Sequence, residues 1–166
     1  VQICLTRNRD PEAVLAHLYG LCIEQSDTIF HHLVKKAKGT GGRLITPHEA
    51  GHNSYPVKNW VSLKKKAGRK YDGRLERITD ALRFRIIFDN YNQYDKLSNR
   101  FLPINNANVL EYEPGIRFDL QKGGFAADQI VMRDPESGLC YEVQIMHKEH
   151  HLENKNSHDA YERIRA

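Results

Sequence analysis

The sequence predicts an α+β domain, a mixed β-sheet flanked by helices. Apolar residues at Leu15, Leu18, Leu21, Cys22, Ile29 and Leu33 recur at helical spacing. Two short apolar runs, Leu82-Arg83-Phe84-Arg85-Ile86-Ile87-Phe88 and Leu139-Cys140-Tyr141-Glu142-Val143-Gln144-Ile145-Met146, read as strands. The turn Asp134-Pro135-Glu136-Ser137-Gly138 stands directly before the second run and makes it one arm of an antiparallel hairpin.

Taken in order, residues from about Pro11 to Lys38 read as helix, in one piece or two, ended by Gly39 to Gly42. Pro47 to Pro56 is expected as loop. Asn59 to about Lys70 forms a helix that packs Trp60 and Leu63 while Ser62 and Lys66 share another side. A strand at about 82–89, a helix at 91–101 and strands at 106–113 and 125–133 lead to the hairpin strand. A helix from about Lys148 to Arg165 closes the chain.

The length of 166 residues suits one domain and allows a core without disulfides or structural zinc. Cys4, Cys22 and Cys140 are scattered and odd in number, which fits core thiols better than a disulfide framework or a paired-cysteine metal site. No apolar run approaches the roughly 20 residues needed to span a bilayer, so the chain reads as soluble. Starting at Val1 and stopping in a charged helical stretch, it reads as an excised domain. Net charge is +4, and Lys58, Lys64, Lys65, Lys66, Arg69, Lys70, Arg74, Arg77, Arg83 and Arg85 concentrate basic residues mid-chain. Such a run is either a solvated helix face or an anion site. Aromatic residues are not interleaved as a stacking platform would need, so a polyphosphate fits at least as well as nucleic acid.

The hairpin strand carries the chemistry. Alternation puts Tyr141, Val143 and Ile145 on one face and Glu142 with Gln144 on the other. Asp80, upstream of the other strand, adds a second carboxylate, and Arg83 and Arg85 add cations. Magnesium is commonly held by one or two carboxylates together with substrate phosphates. Strict alternation would group Asp80 with Leu82 and Phe84 on the core face, so Asp80 either precedes the regular strand or the strand bends there. Lys58, Ser62 and Lys66, four residues apart each time, line up as phosphate donors. Lys122-Gly123-Gly124-Phe125 reads as a turn before a core aromatic, or as a close approach of backbone to a stacked base. The pairs His31-His32, His150-His151 and His158-Asp159 raise a metal-dependent phosphohydrolase, but adjacent histidines on a helix point in different directions.

Together, Lys58-x3-Ser62-x3-Lys66, Asp80-Ala81-Leu82-Arg83-Phe84-Arg85-Ile86, Gly123-Gly124-Phe125 and Glu142-Val143-Gln144-Ile145 resemble, in order and spacing, the RelA/SpoT alarmone synthetase domain. The similarity spans about Val57 to Arg165. It implies a nucleotidyltransferase-like fold, with a helical part and loop over 1–55 and a catalytic core over 56–166. It implies transfer of the β,γ-pyrophosphate of ATP to the 3′-hydroxyl of an acceptor nucleotide, with Mg²⁺. Under the resemblance Lys58, Ser62 and Lys66 hold ATP phosphates, Asp80 binds Mg²⁺, and Glu142 assists the metal or deprotonates the hydroxyl. Arg85 contacts ATP at its base or its phosphates, and Gln144 supports Glu142. Phe125 takes the usual tyrosine position for stacking the acceptor base, and Lys122, Gln144 and His158 complete the acceptor side.

Departures from the family pattern bear on the substrates. Pro56 stands where the family commonly has arginine, so one arm of the adenine clamp is absent or supplied by Arg69 or Arg83. Gly123, Phe125 and Gln129 replace asparagine, tyrosine and histidine, which leaves guanine nucleotides, adenine nucleotides and a tRNA 3′ end as acceptors. His158-Asp159-Ala160-Tyr161-Glu162-Arg163 looks like the secreted or toxin-type members, implying cytoplasmic action, delivery as an effector, and an immunity or secretion partner. An inactive nucleotide-binding or interaction domain of the same fold is the competing class.

Overall fold

Asp10 and Pro11 open the first helix, α1, Pro11–Ala37. The Asp10 carboxylate accepts from the Glu12 N–H at 3.1 Å, and Pro11 has no N–H to leave unpaired in the first turn. α1 is one piece, and Leu15, Leu18, Cys22, Ile29, Leu33 and Ala37 are buried along it. Beyond its end Gly41 has φ +83, and a Cβ there would lie 2.6 Å from the Gln93 side chain, so the turn requires glycine. The computed structural model describes residues 2, 10–50, 55–70, 74–102, 107–116, 127–153 and 155.

A two-residue strand β1, Arg43–Leu44, follows, then one turn of helix, α2, Pro47–Ala50. The loop expected from Pro47 to Pro56 therefore begins as helix. Thr46 explains it, because its carbonyl accepts from the Ala50 N–H at 3.0 Å and its hydroxyl bonds Glu49 Oε1 at 3.3 Å, with Pro47 as the first helical residue. α3, Trp60–Lys70, is capped by Asn59, whose Oδ1 accepts from the Ser62 N–H at 2.8 Å. Leu63 and Ala67 turn inward from it, and Trp60 meets Tyr19 of α1 edge to face at 5.8 Å.

A 3₁₀ turn, Leu75–Arg77, leads to β2, Arg83–Phe88, and α4, Tyr91–Phe101, starts on an Asn90 cap. β3, Val109–Glu113, β4, Ala127–Arg133, and β5, Cys140–His147, complete the sheet, and residues 148–153 are helical again. The expected strand at 106–113 starts at Val109 because residues 107 and 108 form a turn. The first two residues of the strand expected at 125–133, and most of the closing helix, lie outside the described residues.

Strand order is β1-β2-β5-β4-β3. β2 and β5 are parallel and the other pairs antiparallel, so the sheet is mixed, as the sequence predicts. Asp134 and Gly138 close the β4–β5 hairpin with a 2.8 Å backbone bond, Gly138 at φ +73. Period two sorts the central strands. Phe84, Ile86, Phe88, Ile130, Met132, Tyr141, Val143 and Ile145 are buried in a core shared with α1, α3 and α4. The opposite face carries Arg83, Arg85, Glu142, Gln144, Gln129 and Val131 in register. One end of that face is covered by Ile45 and Tyr55, which pack with Ile87 in a second small cluster. The other end is open.

Candidate active site

The open end begins where residues 55–58 pair with 81–83. The Arg83 N–H donates to the Pro56 carbonyl at 2.9 Å and the Lys58 N–H to the Ala81 carbonyl at 2.8 Å. This pairing settles the position of Asp80, which lies before the regular strand, ahead of two fully buried residues, Ala81 and Leu82. It also seats Lys58 against Asp80. Lys58 Nζ donates to Asp80 Oδ2 at 3.2 Å, and Lys66, one turn beyond Ser62 on α3, donates to the same oxygen at 2.5 Å. Asp80 Oδ1 is buried and has no hydrogen-bond partner among the described residues.

Charge in this corner is unbalanced. Burial by itself would raise the Asp80 carboxyl, but the hydrogen bonds and charges of Lys66 and Lys58 outweigh it and hold the group below its ordinary 3.8. Burial pushes the Lys58 ammonium down, and Lys66 and Arg83 add to that push while Asp80 opposes it. Two lysines on one carboxylate give this corner, taken by itself, an excess of positive charge that phosphate oxygens could meet.

Lys66, Thr79, Asp80, Arg83, Glu142, Gln129, Val131, Glu111, Tyr112 and Glu113 line one cleft of about 290 Å³. Sheet register builds it. Arg83 is the partner of Glu142, Glu142 of Val131, and Val131 of Glu111, so these residues form a row across four strands, about 4.8 Å apart per step. Cations occupy the β2 end of the cleft and carboxylates the β3 end. Glu142 and Asp80 are each only 8% exposed, deep enough to strengthen electrostatics and open enough to meet a ligand.

Glu142 is held by a chain of side chains. Gln144 Nε2 donates to Glu142 Oε1 at 2.9 Å, and Gln144 Oε1 accepts from Arg85 Nε and Nη2 at 3.1 and 2.8 Å. Arg85 Nη1 reaches Nδ1 of His151 at 3.0 Å, and the Arg85 backbone N–H donates to the Tyr55 hydroxyl at 3.0 Å. Burial, then the Arg83 charge, lowers the Arg85 guanidinium to about 10, and burial followed by the Arg85 charge lowers the His151 imidazole below 6.5. Arg85 borders a separate small cavity with Ile45, Ala50, Tyr55, Arg83 and Gln144.

The structure thus brings Lys58, Lys66, Asp80, Arg83 and Glu142 together, with Gln144 and Arg85 behind them. Ser62 is half-buried on α3, between the two lysines in sequence. Arg69 is exposed on α3 and does not line the cleft, whereas Arg83 does. Lys122, Phe125 and His158 lie outside the described residues. Two residues escape the sequence pattern. His151 was visible only as half of a histidine pair on a helix. Asp128, fully buried on the core side of β4, accepts from the Tyr94 hydroxyl at 2.5 Å and from the backbone N–H groups of Gly115 and Ile116 at 2.9 and 3.1 Å. Only the alternation of β4, which puts an acid among core positions, hints at it.

Among the described residues no cluster of three or more metal-ligating side chains occurs. Magnesium does not need one, since it takes one or two carboxylates and completes its shell with phosphate oxygens and water. The unpartnered Oδ1 of Asp80 and the cleft-facing Glu142 fit that requirement with hard oxygen donors.

No family model and no curated protein matches the chain. Solved structures do. The small alarmone synthetase 1 from Bacillus subtilis bound to its product pppGpp superposes with a TM-score of 0.60 at 15% identity, over 92% of this chain and 81% of that one. A GTP pyrophosphokinase family protein from Streptococcus pneumoniae gives 0.55 at 15% identity, over 92% of this chain and 73% of that one. The Type VI effector Tas1, solved with its immunity protein, gives 0.57 at 19% identity over 84% of this chain, which spans 64% of Tas1. At these identities the likeness is one of fold, and the fold is that of the RelA/SpoT-like synthetases.

Proposed function

We propose that this chain is an ATP-dependent pyrophosphokinase that moves the β,γ-pyrophosphate of ATP onto the 3′-hydroxyl of a purine nucleotide, making a (p)ppGpp- or (p)ppApp-type product and AMP. The observation that carries the reading is the cleft itself, in which Lys66, Arg83, Asp80 and Glu142 face one space with Asp80 Oδ1 unpartnered. Lys58, Lys66 and Arg83 neutralise the phosphates of ATP at the β2 end. Asp80, assisted by Glu142, would hold magnesium beside the phosphate oxygens, and the ion would supply further charge neutralisation there. The acceptor lies toward β4 and β3.

Glu142 takes the proton. Its Oε1 is occupied by the Gln144 amide, and its other oxygen has no partner among the described residues, free to accept from the hydroxyl. As the 3′-oxygen forms its bond to the β-phosphorus, the bond between that phosphorus and the α,β-bridging oxygen breaks, and AMP leaves with the electron pair. Positioning and charge neutralisation account for most of such a transfer. Retention of two buried carboxylates beside a cation cluster favours an enzyme over an inactive binder, which would be served better by the cations alone.

The test is incubation with ATP and Mg²⁺ against GMP, GDP, GTP, AMP, ADP and deacylated tRNA, with products resolved by chromatography and mass. AMP release coupled to a 3′-pyrophosphorylated acceptor is expected with at least one nucleotide. No AMP release with any acceptor sinks the reading, and product on tRNA alone moves the acceptor to the toxin-type class. Tas1 was solved with an immunity protein, and by that analogy we propose delivery as an effector countered by a dedicated inhibitor. No helix among the described residues is long and apolar enough to cross a membrane.

A further inference from the structure

We propose that His151 is a positioning residue for the transfer: its Nδ1 holds the Arg85 guanidinium, which holds the Gln144 carbonyl, so that the Gln144 amide nitrogen meets Glu142. The proposal rests on the reading of Glu142 as the proton acceptor. Its geometry is independent of that reading.

An amide can present either end to a neighbour, and here the choice decides how Glu142 behaves. With Nε2 toward Glu142, Gln144 donates and orients the carboxylate; with Oε1 toward it, two acceptors would repel. Arg85 selects the first arrangement, since Nε and Nη2 both converge on Oε1 at 3.1 and 2.8 Å and have nothing to offer Nε2. Arg85 in turn needs a fixed plane. Its Nη1 is tied at 3.0 Å to His151 Nδ1, and arginine can only donate, so Nδ1 is the acceptor and the imidazole is neutral with its proton on Nε2. His151 is 6% exposed, so water is a poor substitute for this contact.

Protonation of His151 would place an N–H against the Arg85 N–H groups and two like charges at 3.0 Å. The groups around the imidazole are Arg85 on β2, Arg43 on β1, Glu49 on α2, and Lys155 beyond residues 148–153. Three of the four are cations. Burial, and then the net field of these charges, oppose the proton, Glu49 alone favouring it, so the arrangement survives to pH values below the ordinary histidine range and fails as the solution becomes more acidic. His151 thereby sets the acid limb of the reaction at one remove from the reacting atoms.

The experiment compares His151→Leu, which removes the acceptor, with His151→Asn, which offers Oδ1 to Arg85 and cannot be protonated. AMP release is followed from about pH 5 to pH 9, separating kcat from the KM for ATP. His151→Leu is expected to lower kcat about 10- to 100-fold with a smaller change in KM. His151→Asn should restore kcat to within about threefold of the parent and move the acid limb to lower pH. Equal kcat for His151→Leu and the parent, or an acid limb unchanged in His151→Asn, overturns the proposal. Hydrogen exchange at the Gln144 side-chain amide, read by ¹⁵N NMR, tests the same arrangement without turnover. Slow exchange in the parent and fast exchange in His151→Leu support it; equal exchange refutes it. A parent that releases no AMP while showing that contrast discards the pyrophosphokinase reading and keeps the anchor.

Discussion

At the scale of single residues, the cation cluster around Asp80 makes two predictions. Lys66 gives Asp80 its closest hydrogen bond and faces the cleft, so Lys66→Met should raise the KM for ATP about 10- to 100-fold, the worth of one charge-assisted bond to phosphate. An ATP titration of AMP release checks it, and a change below about threefold would remove Lys66 from the phosphate site. The same substitution acts on stability. Because the folded Asp80 carboxyl lies below its ordinary 3.8, it adds stability that is complete above that value and disappears as pH falls through the folded one. Without Lys66 the depression shrinks, and acid unfolding followed by Trp60 fluorescence should begin at higher pH than in the parent. The residues at this corner were readable in sequence because each stands at a fixed distance from its neighbours within, or just ahead of, one helix or one strand. His151 was not. Its role comes from Arg85, 66 residues away, and a spacing pattern has no access to that meeting.

Among the elements, the β3–β4 pair depends on a close approach at Gly115. A Cβ there would lie 2.1 Å from the Ala127 carbonyl oxygen, inside contact distance of backbone that cannot turn aside. Gly115→Ala should therefore cost about 1 to 3 kcal/mol in urea unfolding. Asp128→Ala should cost about 3 kcal/mol or more, since it removes the acceptor of two backbone N–H groups and of the Tyr94 and Tyr112 hydroxyls together. A loss under about 1 kcal/mol would mean that water enters and satisfies them. Strand alternation made β2, β4 and β5 legible and placed Glu142 and Gln144 on one face. β1 and α2 were not legible, being two and four residues long, too short for any periodicity to register. Asp128 broke the pattern of β4 without showing why, because its partners sit on α4, at Tyr112 of β3 and in the segment after β3.

For the molecule as a whole, the sheet order is the governing fact. β5 lies at the centre, between β2 and β4, pairing with both, and its removal would leave two separate strand pairs, β1-β2 and β4-β3. Gln2 reinforces it across 138 residues of sequence, exchanging bonds of 2.6 Å with both the N–H and the carbonyl of Cys140. The parallel β2–β5 pair is a long-range contact, and such contacts form late. A chain cut after Gly138 should show no cooperative thermal transition by circular dichroism, even though it keeps α1, α3, α4 and four of the five strands. A cooperative melt in that fragment would contradict this account.

This arrangement also has a meaning on the ribosome. Translation delivers β1 through β4 first, and until Cys140–His147 emerges, β2 and β4 have no strand to join them. Glu142 is made on that joining strand, so a nascent chain acquires its proton acceptor in the same step that closes its sheet. The cleft lined by Lys66, Asp80, Arg83 and Glu142 therefore has no partial form on the way to the finished sheet, and whatever binds it meets either the whole site or none of it.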